Sequence, residues 1–215
     1  MREKAAAVTR RLEAAYPEAI CSLEYTDPFQ LLVATRLSAQ CTDARVNQVT
    51  PALFARFPGA AEMAGAAAEE VEALIHSCGF YHTKSRDLIG MAQMILARHG
   101  GQVPQSMEEL TALPGVGRKT ANLIRGDVFR LPAVVADTHL IRIANLLGLV
   151  RTQDPAKVER SLIELLDPAR SNDFCHRCVL HGRAVCVARR PRCGDCCLAE
   201  LCASFAERQE AKQVL

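Results

Sequence analysis

The chain has 215 residues, of which 49% are hydrophobic, and a formal net charge of +2. This is ample for a core in one domain or two small ones. It is compatible with a nucleic-acid partner but would not by itself suggest one. No apolar run approaches the ~18 residues of a membrane span, and Met1-Arg2-Glu3-Lys4 leads into a polar, alanine-rich helix pattern in place of a secretory signal. No membrane partner and a cytoplasmic location are therefore expected.

Helical periodicity dominates from the start. Residues 3–15 carry Ala6, Val8, Leu12 and Ala15, and end at Tyr16-Pro17. Asp27-Pro28 is an N-cap followed by an N1 proline, opening a helix through Phe29, Leu32, Val33 and Leu37 that ends at Ser38-Ala39-Gln40. Thr42 caps the next helix. Thr50-Pro51 predicts a break or kink in it, and Pro58-Gly59 ends it. Residues 68–77 place Val71, Leu74 and Ile75 on one face, closed by Gly79. Thr83 is expected to cap a helix that stops at Gly100-Gly101. Asp154-Pro155 repeats the cap-plus-proline start, and residues 173–184 form the last clear helix. No period-two pattern persists, so the fold class is all-α, with about ten helices joined by short connections.

The stretch from 106 to 139 holds the chemistry. Ser106 with Glu109 is a capping box for a helix over about 106–112, and Pro114 stops it. Gly115 and Gly117 lack Cβ, so the chain can turn sharply and come close to a ligand. A second helix starts near Arg118, and the free N–H groups at its start suit a phosphate oxygen. Taken alone, Gly-Val-Gly is also an ordinary inter-helix turn. Lys119 makes it more than that. The helix dipole disfavours a cation in the first turn, which favours the free amine that a nucleophile needs. Asp137 precedes Leu140, Ile141, Ile143, Ala144 and Leu147, and reads as an N-cap, a role compatible with catalysis.

Ten cysteines in a chain with no secretory signal argue for metal or cluster ligation over disulfides. Cys186, Cys193, Cys196 and Cys202 follow C-x6-C-x2-C-x5-C. By count they suit [4Fe–4S] or structural zinc equally. Cys197 could replace Cys196, and a zinc site from Cys175, Cys178, Cys193 and Cys196 is a further alternative. Arg189, Arg190 and Arg192 lie between the first two cysteines and are candidates for phosphate contact. Cys21, Cys41, Cys78, Cys175 and Cys178 read as small buried hydrophobes, and the scattered histidines as surface or packing residues.

Leu-Pro-Gly-Val-Gly-Arg-Lys-Thr-Ala-Asn, then Ala-Asp-Thr-His, then the cysteine spacing, resemble the endonuclease III family of helix-hairpin-helix DNA glycosylases over nearly the whole chain. The resemblance implies two helical lobes with a DNA-binding cleft between them. One would be a bundle over 21–131, with the helix-hairpin-helix at about 106–129. The other would join 1–20 to 132–215 and carry a [4Fe–4S] cluster on Cys186, Cys193, Cys196 and Cys202. It implies a nucleoid-associated monomer that removes damaged pyrimidines from double-stranded DNA and cuts 3′ to the abasic site. Lys119 would be the nucleophile and Asp137 the catalytic carboxylate. DNA contacts would come from Gln40, Lys84, Gly115, Val116, Gly117, Arg118, His139 and Arg190. Gln40 would fill the vacated stack or meet the orphan base. The loop Gly79–Lys84 matches a family loop near the DNA, although Cys78 stands where a larger aliphatic residue is usual. Lys119 disfavours two relatives within the superfamily, the adenine and mismatch-thymine glycosylases. A non-catalytic DNA-binding module would have no need of Lys119 and Asp137 together.

Overall fold

The computed structural model describes residues 1–213, and among these there is no β-strand. The helices are α1 (Arg2–Ala15), α2 (Pro28–Leu37), α3 (Asp43–Arg56), α4 (Ala60–Ala64), α5 (Ala68–Ile75), α6 (Tyr81–His99), α7 (Met107–Ala112), α8 (Arg118–Asp127), α9 (Thr138–Leu146), α10 (Pro155–Leu165), α11 (Ser171–Ala184) and α12 (Ala203–Gln213). None is long and apolar enough to cross a membrane.

Side-chain caps set many of the starts. Asp27, Thr42, Ser106, Asp137 and Asp154 each accept a hydrogen bond from the backbone N–H three residues on, which satisfies a donor the helix itself leaves unpaired. Three expectations need correction. Pro51 does not break α3, which runs on to Arg56; buried Val49, Thr50 and Leu53 hold the helix against the core on either side of the missing N–H. Thr83 is not the cap of α6. That helix begins at Tyr81, after Phe80 in the left-handed region at φ 49°. A further helix, α12, follows the last one predicted.

The chain divides into two compact units, Cys21–Phe129 and a discontinuous one made of Met1–Ile20 with Arg130–Leu215. In the first, α6 packs against α4 and α5, and α8 against α2 and α7. Their apolar stripes meet in a core that includes Leu32, Leu37, Leu53, Phe57, Met63, Leu88, Met91 and Ile124. Each such side chain adds about 1.5–3 kcal/mol through burial. In the second, α11 packs against α1 and α9, with Leu12, Leu140, Leu162 and Phe174 buried. The helical hairpin therefore rests on one core, and Asp137 with the cysteine loop on the other.

Candidate active site and cysteine loop

The hairpin gives its two glycines different tasks. Gly115 has φ +72°, and a Cβ there would lie 2.5 Å from Arg36 Nε and 2.8 Å from Asp87 Oδ2. It is both the left-handed turn residue and the point of close approach, over an Arg36–Asp87 ion pair of 2.6 Å. Gly117 has ordinary backbone angles (φ −96°, ψ 175°) and open space where a Cβ would go. It is the N-cap of α8, and no side chain caps that helix. Val116, expected among the DNA contacts, instead faces inward: its side chain is buried and its N–H donates to Leu113 O at 3.1 Å. Arg118 and Lys119 are exposed in the first turn of α8. A positive side chain and uncapped N–H groups thus share one exposed helix start, an arrangement that suits an anion.

Asp137 caps α9, with Oδ1 accepting the Leu140 N–H at 2.7 Å. It is half-buried, and the cap fixes one oxygen while the other stays available. His139, one turn on, is also half-buried. The Arg142 guanidinium donates to its Nδ1 at 3.2 Å, and a Cβ on Gly182 of α11 would lie 2.6 Å from that nitrogen. His139 is seated against α11 by packing.

Lys84 requires correction as a DNA contact. It is 1% exposed, and its ammonium donates to Leu37 O at 2.8 Å and Cys78 O at 2.9 Å. Desolvation by burial lowers its pKa. A lysine on the first turns of α6 points inward here because two carbonyls at helix ends accept from it. Its effect is to tie together two loops, the one after α2 and the one before α6. Each carries an exposed residue with positive φ: Gln40 at 55° and Phe80 at 49°. Phe80 is 66% exposed, in the loop that the sequence reading placed near the DNA.

Cys186, Cys193, Cys196 and Cys202 line one cavity with Leu146 and Phe205. Cys197 does not line it, and its carbonyl accepts from Arg11 at 3.1 Å. Cys178 is fully buried on α11, which pushes its thiol well up, and Cys175 donates to Ser171 O at 3.1 Å. Neither lines the cavity. Among the described residues no three His, Cys, Asp or Glu side chains are arranged to hold a single metal ion. Four thiols around one cavity are the number of donors that a four-thiolate group takes. Arg189 and Arg190 are exposed on this loop, whereas Arg192 donates to Ala184 O and lines the cavity.

Residues 33–168 match the HhH-GPD superfamily base excision DNA repair protein family. The chain is 48% identical to endonuclease III of Synechocystis over 94% of its length and 93% of the relative's. It is 36% identical to endonuclease III of Escherichia coli K12, over 91% of this chain and 92% of the other. Among solved structures it is similar to a non-covalent endonuclease III–DNA complex (TM-score 0.90, 36% identity, 98% and 99% of the two chains covered). A trapped endonuclease III–DNA covalent intermediate matches with the same TM-score and identity, over 97% and 99%. A thermostable thymine-DNA glycosylase at 19% identity shares the fold. Hairpin, capped aspartate, cysteine loop and these likenesses converge: the chain belongs to the endonuclease III family of HhH-GPD base excision DNA repair proteins.

Proposed function

We infer that the chain is a base excision repair DNA glycosylase with AP lyase activity, and we propose damaged pyrimidines in double-stranded DNA as its substrates. The observation that carries this reading is Lys119, exposed in the first turn of an uncapped helix behind a bare-backbone turn. A relative trapped in covalent union with DNA supports a covalent step.

In the proposed reaction the hairpin binds backbone phosphate through the N–H groups at the start of α8, with Gly117 leaving room for close approach and Arg118 adding charge. The damaged nucleotide leaves the stack. Gln40 and Phe80, presented by the loops that Lys84 ties together, occupy the space it vacates. The Lys119 amine forms a bond to C1′ and the base departs with the C1′–N bond electrons. Asp137 stabilises positive charge developing on the sugar and helps remove the lysine proton. The sugar ring opens to a Schiff base on Lys119. Loss of a C2′ proton then expels the 3′ phosphate by β-elimination.

The four cavity cysteines would hold a [4Fe–4S] cluster. Bound there, the cluster supplies a cross-link that fixes the loop. Arg189 and Arg190 would then contact phosphate from a rigid base. The protein would act as a monomer.

The test is borohydride trapping on two duplexes, one with an oxidised thymine and one with adenine opposite oxidised guanine. We expect a covalent adduct on the first alone, absent in Lys119→Ala. Adenine release from the second without trapping would move the chain to the adenine-glycosylase branch. Full adduct yield from Lys119→Ala would overturn the nucleophile.

A further inference from the structure

His181 on α11 is 1% exposed, and the proposed DNA chemistry makes no use of it. Its two ring nitrogens face different partners. Nδ1 lies 3.0 Å from the Tyr16 hydroxyl, and Nε2 lies 3.3 Å from Cys196 Sγ. The Tyr16 and His181 rings meet edge to face, with centroids 5.8 Å apart and an interplanar angle of 74°. Tyr16 is held in turn, since Arg177 on α11 donates to its carbonyl at 3.1 Å and pairs with Glu13 on α1 at 3.3 Å. The Tyr16 end of the chain Tyr16–His181–Cys196 is therefore anchored on α1 and α11.

The four cavity sulfurs do not share this environment. Cys202 Sγ lies 3.4 Å from a carbonyl, Leu146 O. Cys193 Sγ has the exposed Arg208 guanidinium at 3.6 Å. Cys196 Sγ alone has a buried imidazole, together with the Leu198 N–H at 3.4 Å. A cysteine sulfur bound to iron carries negative charge and can only accept hydrogen bonds. Polarity then fixes the tautomer. The Tyr16 O–H donates to Nδ1, so the ring hydrogen resides on Nε2, directed at the sulfur.

We propose that Tyr16 and His181 form a hydrogen-bond relay that fixes an N–H donor on Cys196 and sets the reduction potential of the cluster held by the four cysteines. This rests on the cluster assignment above. A donor on a cluster sulfur stabilises the more electron-rich state, so the relay raises the potential. Both are positioning residues: His181 acts through Cys196, and Tyr16 through His181.

The test is a potentiometric titration of the holoprotein followed by electron paramagnetic resonance, with iron content measured first. In His181→Leu the potential should move negative by about tenfold in the redox equilibrium, which is about 59 mV for a one-electron couple. His181→Gln keeps an N–H donor and should restore most of the shift. Tyr16→Phe frees the tautomer and should give a smaller shift in the same direction. If His181→Leu holds full iron at the wild-type potential, the relay is wrong. If His181→Gln behaves like His181→Leu, the shift comes from packing and the relay is equally wrong. Should His181→Leu fail to fold, Tyr16→Phe decides: an unchanged potential overturns the proposal. Wild-type protein without iron would instead overturn the cluster assignment before any variant is compared.

Discussion

Gly115 lies so close over Arg36 that a Cβ on it would sit 2.5 Å from the guanidinium Nε. The hairpin turn is thereby packed onto the Arg36–Asp87 pair, which links α2 to α6. Gly115→Ala must both hold alanine at φ +72° and displace that pair. We expect a loss of about 2–4 kcal/mol in urea unfolding. Gly117→Ala meets open space and should change stability by less than about 1 kcal/mol, while weakening DNA binding. Unchanged affinity in Gly117→Ala would remove the close approach of phosphate to this residue.

Lys84 separates a structural lysine from a DNA contact. Lys84→Met leaves the Leu37 and Cys78 carbonyls without their donor and should cost about 1–3 kcal/mol for each that stays dry. The salt dependence of DNA affinity should keep its wild-type slope, because no phosphate contact is lost. A slope reduced by about one would restore Lys84 as a phosphate contact.

Asp137 can be divided between capping and chemistry. Asparagine caps a helix about as well as aspartate, so Asp137→Asn should unfold within about 0.5 kcal/mol of wild type. It should bind damaged duplex normally, yet slow single-turnover base release by about a hundredfold or more. Equal rates would leave Asp137 with its cap on Leu140 alone.

On the cysteine loop, two neighbouring arginines should respond differently. Arg190→Ala removes an exposed charge and should lower the salt slope of DNA binding by about one. Arg192→Ala breaks the bond to Ala184 O at the cavity edge. With the proposed cluster bound, it should accelerate loss of visible absorbance in air. Identical behaviour of the two variants would mean that the loop does not distinguish them.

Cys21 gives an alkaline signature. Burial pushes its thiol from 9.0 up to about 12, with the Asp127 and Asp43 carboxylates contributing. Above pH 9 the unfolded chain releases this proton while the folded chain keeps it. The unfolded state then binds fewer protons, and stability falls as pH rises. The stability difference between wild type and Cys21→Ala should therefore drift against wild type from pH 8.5 to 10.5. A flat difference across that range would mean that the thiol ionises equally in both states.

The local signals in the chain were strong. Asp27-Pro28, Ser106 with Glu109, Asp137 and Asp154-Pro155 each capped the helix they announced, because a cap is a contact between residues three apart. Pro51 went the other way: its local rule was outweighed by buried neighbours. The spacing of Cys186, Cys193, Cys196 and Cys202 pointed to one group, and choosing Cys196 over Cys197 from spacing needed the family. In the fold Cys196 lines the cavity and Cys197 does not.

The sequence by itself determined the all-α class, the hairpin, Lys119 at a helix start and the set of cysteines, since these follow from periodicity, capping and residue type within a few positions. Tertiary structure decided the rest. It buried Lys84 against Leu37, 47 residues away, turned Val116 inward, gave Gly115 a packing role that Gly117 lacks, and brought Tyr16 to His181 across 165 residues. Each of these depends on which carbonyl, guanidinium or ring arrives from a distant part of the chain. Composition and local spacing do not encode that, because burial and hydrogen-bond partnership belong to the packed core.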